Sequence, residues 1–191
     1  MSKLIVGLGN PEVRYELTRH NIGWQLLDYL GDQQGLIWKE KYKGLVATKT
    51  IDGEQWVFLK PHTYMNCSGE SVAPAATFFK VSVEDILVVH DELDLSYGVI
   101  SFKKGGGLAG HNGLKSIASS LGSQDFKRLR MGIGRPDRGS VSSWVLSTYS
   151  DDQMSLLEDY LKGTYEKVVP YIDKGSYSTK KQQIVNYDEG E

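Results

Sequence analysis

A chain of 191 residues and 21.3 kDa is sized for one domain, since single cores divide only beyond roughly 250–300 residues. Its 40% hydrophobic and 24% charged residues are ordinary for a soluble globular protein, and no apolar run approaches the ~20 residues that span a bilayer. A net charge of −2 argues against a general nucleic-acid-coating protein; the lone Cys67 excludes an internal disulfide, and with no secretory h-region after Met1 the expected location is cytoplasmic.

Lys3-Leu-Ile-Val6 reads as a strand stopped by the turn Gly7-Leu-Gly-Asn-Pro11. Ile22, Leu26, Leu27 and Leu30 recur at helical spacing over 21–34. Residues 44–51 and 55–60 flank Asp52-Gly53 as a β-hairpin with a two-residue turn. Val72, Ala75, Ala76 and Phe79 share a helical face over 66–79, where Pro74 predicts a kink or a helix start. Residues 85–90 form a buried-type strand, and Val99 to Lys103 a shorter one. Gly105-Gly-Gly-Leu-Ala-Gly110 is a flexible loop before a helix from His111-Asn112 to about Leu121. Arg128 to Ile133 alternates basic and apolar residues, and 151 to about 174 is a long amphipathic helix. The polar tail from Tyr177 is expected to fray. Strands alternating with helices predict an α/β fold: one domain over 1–191, a three-layer sandwich with a mixed, mostly parallel β-sheet flanked by helices.

Charge is unevenly placed. Residues 101–140 carry eight cations (Lys103, Lys104, Lys115, Lys127, Arg128, Arg130, Arg135, Arg138) against Asp125 and Asp137, a local +6 in a −2 protein. Such a patch suits a polyanion gripped at one place, or is simply a solvated face.

Ligands of parallel sheets bind beyond the carboxyl ends of strands, which puts Asn10 and His20 beside such a crevice. Gly7-Leu-Gly9 invites a dinucleotide-binding reading, but the fingerprint needs glycine where Glu12 stands, and a carboxylate there repels a pyrophosphate. Asp91, Glu92 and Asp94 with His20, His90 and His111 offer metal ligands without any H-x-x-x-H spacing. Cys67 offers a nucleophile or, more simply, a small buried side chain. Water-based hydrolysis fits the residue types best. A histidine oriented by an aspartate takes a proton from water, and asparagine amides hold a carbonyl and its oxyanion. His20 and Asp91 with Asn10, Asn66 and Asn112 supply these groups, sufficient for an activated acyl bond such as an ester.

Gly7-Leu-Gly-Asn-Pro11, Tyr15, Thr18-Arg-His-Asn21, Lys60-Pro61, Thr63-Tyr-Met-Asn66, His90-Asp-Glu-Leu-Asp-Leu95, Lys103, Gly105-Gly-Gly107, Gly110-His-Asn-Gly-Leu-Lys-Ser-Ile117 and Arg128-Leu-Arg-Met-Gly-Ile-Gly-Arg-Pro136 resemble, in order, the bacterial-type peptidyl-tRNA hydrolases. The resemblance runs from about Leu4 to Leu146. It implies a monomeric cytosolic enzyme, with no metal, cofactor, membrane or obligate protein partner, that cleaves the ester between a peptide and the 3′-terminal ribose of tRNA. On matching positions it implies His20 as general base, Asp91 as its orienting carboxylate, and Asn10 and Asn66 holding the water and the peptide carbonyl. Tyr15, Tyr64, His111 and Asn112 would line the site for the substrate, with Lys103 and Arg130 clamping the tRNA 5′-phosphate. A non-enzymatic RNA-binding relative and a metal-dependent hydrolase are the other readings. Four departures are Glu12 for glycine, Ser96 for proline, Ala109 where glycine is common, and Ser101 at a position basic in some members. They predict a reshaped turn after Asn10, a slightly stiffer glycine loop and a weaker phosphate grip.

Overall fold

The protein is described here from a computed structural model over residues 1–189. Eight strands form one mixed sheet: β1 (Ser2–Gly7), β2 (Lys39–Lys41), β3 (Gly44–Ile51), β4 (Glu54–Pro61), β5 (Ile86–Glu92), β6 (Val99–Lys104), β7 (Lys127–Gly132) and β8 (Gln182–Gln183). Their order is β2-β3-β4-β1-β5-β7-β6-β8. The middle, β4-β1-β5-β7, is parallel, and antiparallel pairing builds both wings. Leu4, Ile5 and Val6 and the run Ile86 to Val89 are fully buried, because helices cover both faces of the parallel strands. Asp52 and Gly53, at φ of 50° and 79°, close the β3–β4 hairpin as predicted.

Helices α1 (Ile22–Gln34) and α5 (Asp151–Lys174) pack on one face, with Leu26, Leu30, Leu157 and Tyr160 in its core. Helices α2 (Gly69–Phe78) and α3 (Asn112–Leu121) cover the other, with Val72, Ala75, Leu114 and Ile117. Three layers result. Ser150 and Gln153 form a capping box at the start of α5, and Gly175 ends it in the left-handed region. The chain leaves β1 for α1 and β4 on one side. It reaches β5 on the other through α2, so the crevice lies at the carboxyl ends of β1 and β5.

Several expectations need correcting. Of the two readings of Pro74, a helix start is excluded, since it lies inside α2. The short helix α4 (Val141–Val145) was not foreseen. The tail does not fray over the described residues. Tyr177 packs on Phe102 with ring centroids 5.5 Å apart, Tyr187 packs on Tyr97 at 5.4 Å, and β8 pairs with β6. Aromatic burial and edge pairing anchor a segment whose composition reads as polar. Residues 190–191 of the expected tail lie outside the described residues.

Candidate active site

The glycines of the opening segment serve packing. A Cβ at Gly7 would stand 2.4 Å from the Gly23 carbonyl oxygen, and one at Gly23 2.4 Å from that of Val89. Their absence lets the start of α1 lie directly against β1 and β5, which brings the preceding 3-10 turn, Arg19–Asn21, onto the end of β5. His20 and Asp91 meet there: His20 Nδ1 is 2.8 Å from Asp91 Oδ2. Asp91 Oδ1 lies 2.7 Å from His111 Nε2, so one buried carboxylate holds two imidazoles.

The hydrogen bonds fix both tautomers. His111 precedes α3 as its N-cap, and its Nδ1 accepts from the Gly113 and Leu114 amides at 3.1 and 3.3 Å. Its Nε2 therefore carries the proton donated to Asp91. His20 donates Nδ1–H to the other carboxylate oxygen, which leaves its Nε2 lone pair unspent. Burial resists protonation of His20, but the Asp91 charge and hydrogen bond outweigh it and raise its pKa above the ordinary value. Burial penalises the Asp91 anion too, yet the two imidazoles hold its pKa well below the usual carboxylate range. His20, Asp91 and His111 have the residue types of a metal triad. The donor set does not fit one, since the Nε2 of His111 is protonated while its Nδ1 caps the helix.

Asn10 is locked from three sides. Its N–H donates to Asn21 Oδ1 (2.8 Å), its carbonyl accepts from Asn21 Nδ2 (2.9 Å), and its Oδ1 accepts from the Met65 amide (2.8 Å). That last bond assigns the carboxamide orientation and leaves Asn10 Nδ2–H as a free donor. All ten predicted site residues line one cleft of about 970 Å³: Asn10, Tyr15, His20, Tyr64, Asn66, Asp91, Lys103, His111, Asn112 and Arg130. Lys103 on β6 and Arg130 on β7 line it together, α4 adds Val141 and Val145, and Asn66 and Asn112 are its exposed asparagines.

Glu12 puts no backbone strain on the turn. Its backbone is extended (φ −75°, ψ 143°), a conformation open to any residue, so no glycine is needed. Its carboxylate accepts from Tyr64 Oη (2.6 Å) and pairs with Arg14 Nε (2.8 Å). Ala109, expected only to stiffen the loop, sits in the left-handed region at φ 50°, where a side chain is strained.

The basic patch divides by role. Arg128, buried, spends its terminal N–H groups on carbonyls of Gly105 (2.9 Å), Gly106 (3.0 Å), Gly107 (2.8 Å) and Gln124 (2.8 Å). It is the internal brace of the glycine loop, not a solvated cation. Arg135 pairs with Asp94 at 2.7 Å, and Lys127 bonds the Glu84 carbonyl. Arg19, which sequence reading passed over, is also buried. It bonds Ser147 Oγ (2.6 Å), the Thr148 carbonyl (2.7 Å) and Gln153 Oε1 (2.8 Å), and stacks 3.6 Å from the centre of the Trp144 ring. These partners lie about 130 positions along the chain, so no local pattern signals them.

Residues 4–190 match the family model described as Peptidyl-tRNA hydrolase. The peptidyl-tRNA hydrolase of Geotalea daltonii is 47% identical over 87% of each chain. That of Lactobacillus johnsonii is 45% identical over 91% of this chain and 94% of its own. A crystal structure of the Acinetobacter baumannii peptidyl-tRNA hydrolase superposes with a TM-score of 0.82 at 41% identity, covering 88% of this chain and 87% of that one. No helix among the described residues is long and apolar enough to cross a membrane. With the family model spanning nearly the whole chain and relatives above 40% identity on the same fold, this chain belongs to the peptidyl-tRNA hydrolase family of enzymes.

Proposed function

We propose that the chain hydrolyses the ester between a peptide and the 3′-terminal ribose of peptidyl-tRNA, returning free tRNA from stalled or aborted translation in the cytoplasm. The observation that carries the mechanism is the Asp91 carboxylate bridging two histidines of fixed tautomer, which spends every ring nitrogen except His20 Nε2. That nitrogen takes a proton from a water molecule as its oxygen attacks the ester carbonyl. Asn10 Nδ2–H, held by the Met65 amide, donates to the water or to the carbonyl oxygen as charge develops on it. The exposed amides of Asn66 and Asn112 complete the polar rim. When the tetrahedral adduct collapses, the ribose oxygen leaves and takes the proton back from His20, giving a ribose hydroxyl and a peptide carboxylic acid, which releases its proton to solvent. Asp91 stays ionised throughout and stabilises the transient imidazolium.

Lys103 and Arg130 lie on neighbouring strands along the same cleft, and two cations fit the terminal phosphate of an acceptor stem. Tyr15 and Tyr64 offer apolar ring surface to the peptide. The test is turnover of an N-acetylated aminoacyl-tRNA by His20→Ala. We expect a loss of about a thousandfold in kcat, within the range for removing a general base, with tRNA affinity kept. Near-normal turnover would overturn the assignment.

A further inference from the structure

Ser101, expected to weaken the phosphate grip for want of a charge, touches one of the two cations proposed for it. It is fully buried and faces Arg130 across the β6–β7 ladder as its direct register partner. Arg130 Nη2 donates to Ser101 Oγ at 2.9 Å. A guanidinium only donates, so the hydroxyl must accept here and send its own proton elsewhere. Its nearest acceptor is the Thr179 carbonyl at 3.0 Å; the Phe102 carbonyl is at 3.4 Å. Thr179 belongs to the returning tail, pinned by Tyr177 on Phe102 before it and by β8 on β6 after it.

We propose that Ser101 is a positioning residue for phosphate recognition: it links Arg130 to the C-terminal segment and sets the guanidinium before tRNA arrives. The inference rests on Arg130 contacting the 5′-phosphate. The other contacts of Arg130 leave this task open, since Glu92 Oε1 is 3.7 Å from Nη1 and Nε is buried without a partner. Arginine is long and rotamer-rich, and ordering it in advance removes a cost that binding would otherwise carry. A lysine at position 101 would add a third charge beside Lys103 and Arg130; the serine instead aims a charge already present.

The test is steady-state kinetics of wild type, Ser101→Ala, Arg130→Ala and the double variant. Each is assayed on an N-acetylated aminoacyl-tRNA bearing a 5′-phosphate and on the same substrate after dephosphorylation. Ser101→Ala is expected to raise KM for the phosphorylated substrate by about three- to tenfold, the size of one hydrogen bond, with kcat unchanged. It should leave the dephosphorylated substrate unaffected and add nothing once Arg130 is alanine. An equal loss on both substrates, no loss on either, or additivity with Arg130→Ala would overturn the positioning role while leaving the phosphate contact intact. A wild type indifferent to the 5′-phosphate would defeat the Arg130 reading itself, and this inference with it.

Discussion

At the scale of single residues, the site is a problem of proton placement. Four groups, Asp91, His20, His111 and His90, crowd one end of β5, and hydrogen bonds settle where each proton sits. His90 Nδ1–H donates to the Asp91 backbone carbonyl at 2.8 Å, and its Nε2 is buried without a partner. Burial, seconded by the neighbouring His111, lowers its pKa to about 3. The unfolded chain therefore binds a proton at this residue from about pH 6.5 downward while the folded chain does not, so its contribution erodes as pH falls. His20 has the opposite sign: its raised pKa adds stability below the ordinary imidazole value, which is lost as pH rises through the folded one. Denaturant titrations at pH 7 and pH 5 should therefore show wild type losing more stability than His90→Asn, by about 2 kcal/mol. Equal losses in the two proteins would refute a buried neutral His90. The residue types of this cluster were legible in the sequence, because histidine next to asparagine at glycine turns is an unusual pattern. Their protonation was not, because tautomers depend on amides of Gly113 and Leu114 that only the folded start of α3 presents.

At the scale of elements, apolar periodicity located the long segments well: β1, β5, α1, α3 and α5 stand within a few residues of where spacing put them. Short elements were missed, since a few residues cannot show a period. β2 is the three residues Lys-Glu-Lys, α4 spans five residues, and β8 is a two-residue pairing at the sheet edge. The glycine loop shows the same limit. Glycines suggest mobility, yet Arg128 ties three consecutive loop carbonyls to one buried guanidinium. Arg128→Lys should release that brace, since an ammonium cannot reproduce a planar fork of donors. Amide hydrogen exchange over residues 105–110 should quicken by about tenfold or more, with a stability loss of about 2 kcal/mol. Unchanged exchange there would show that the loop holds itself.

At the scale of the whole molecule, the sheet brings distant segments to one cleft. His20 comes from the turn before α1, Asp91 from β5, the second imidazole from the start of α3 and the cations from β6 and β7. Arg19 joins the turn carrying His20 to the α4–α5 junction, and α4 walls the same cleft. The parallel middle of the sheet, and so the crevice, followed from strand–helix alternation. The packed tail did not, because its anchors are single aromatic contacts in a polar segment. An imidazole base raised and aimed by Asp91 is tested most directly by the pH dependence of kcat/KM for wild type and Asp91→Asn. Wild-type activity should rise with pH through an acid limb lying above the ordinary histidine value, as His20 loses its proton. In Asp91→Asn that limb should shift to lower pH while the plateau falls by a factor on the order of 10² to 10⁴. An acid limb that stays in place when the carboxylate is neutralised would contradict it.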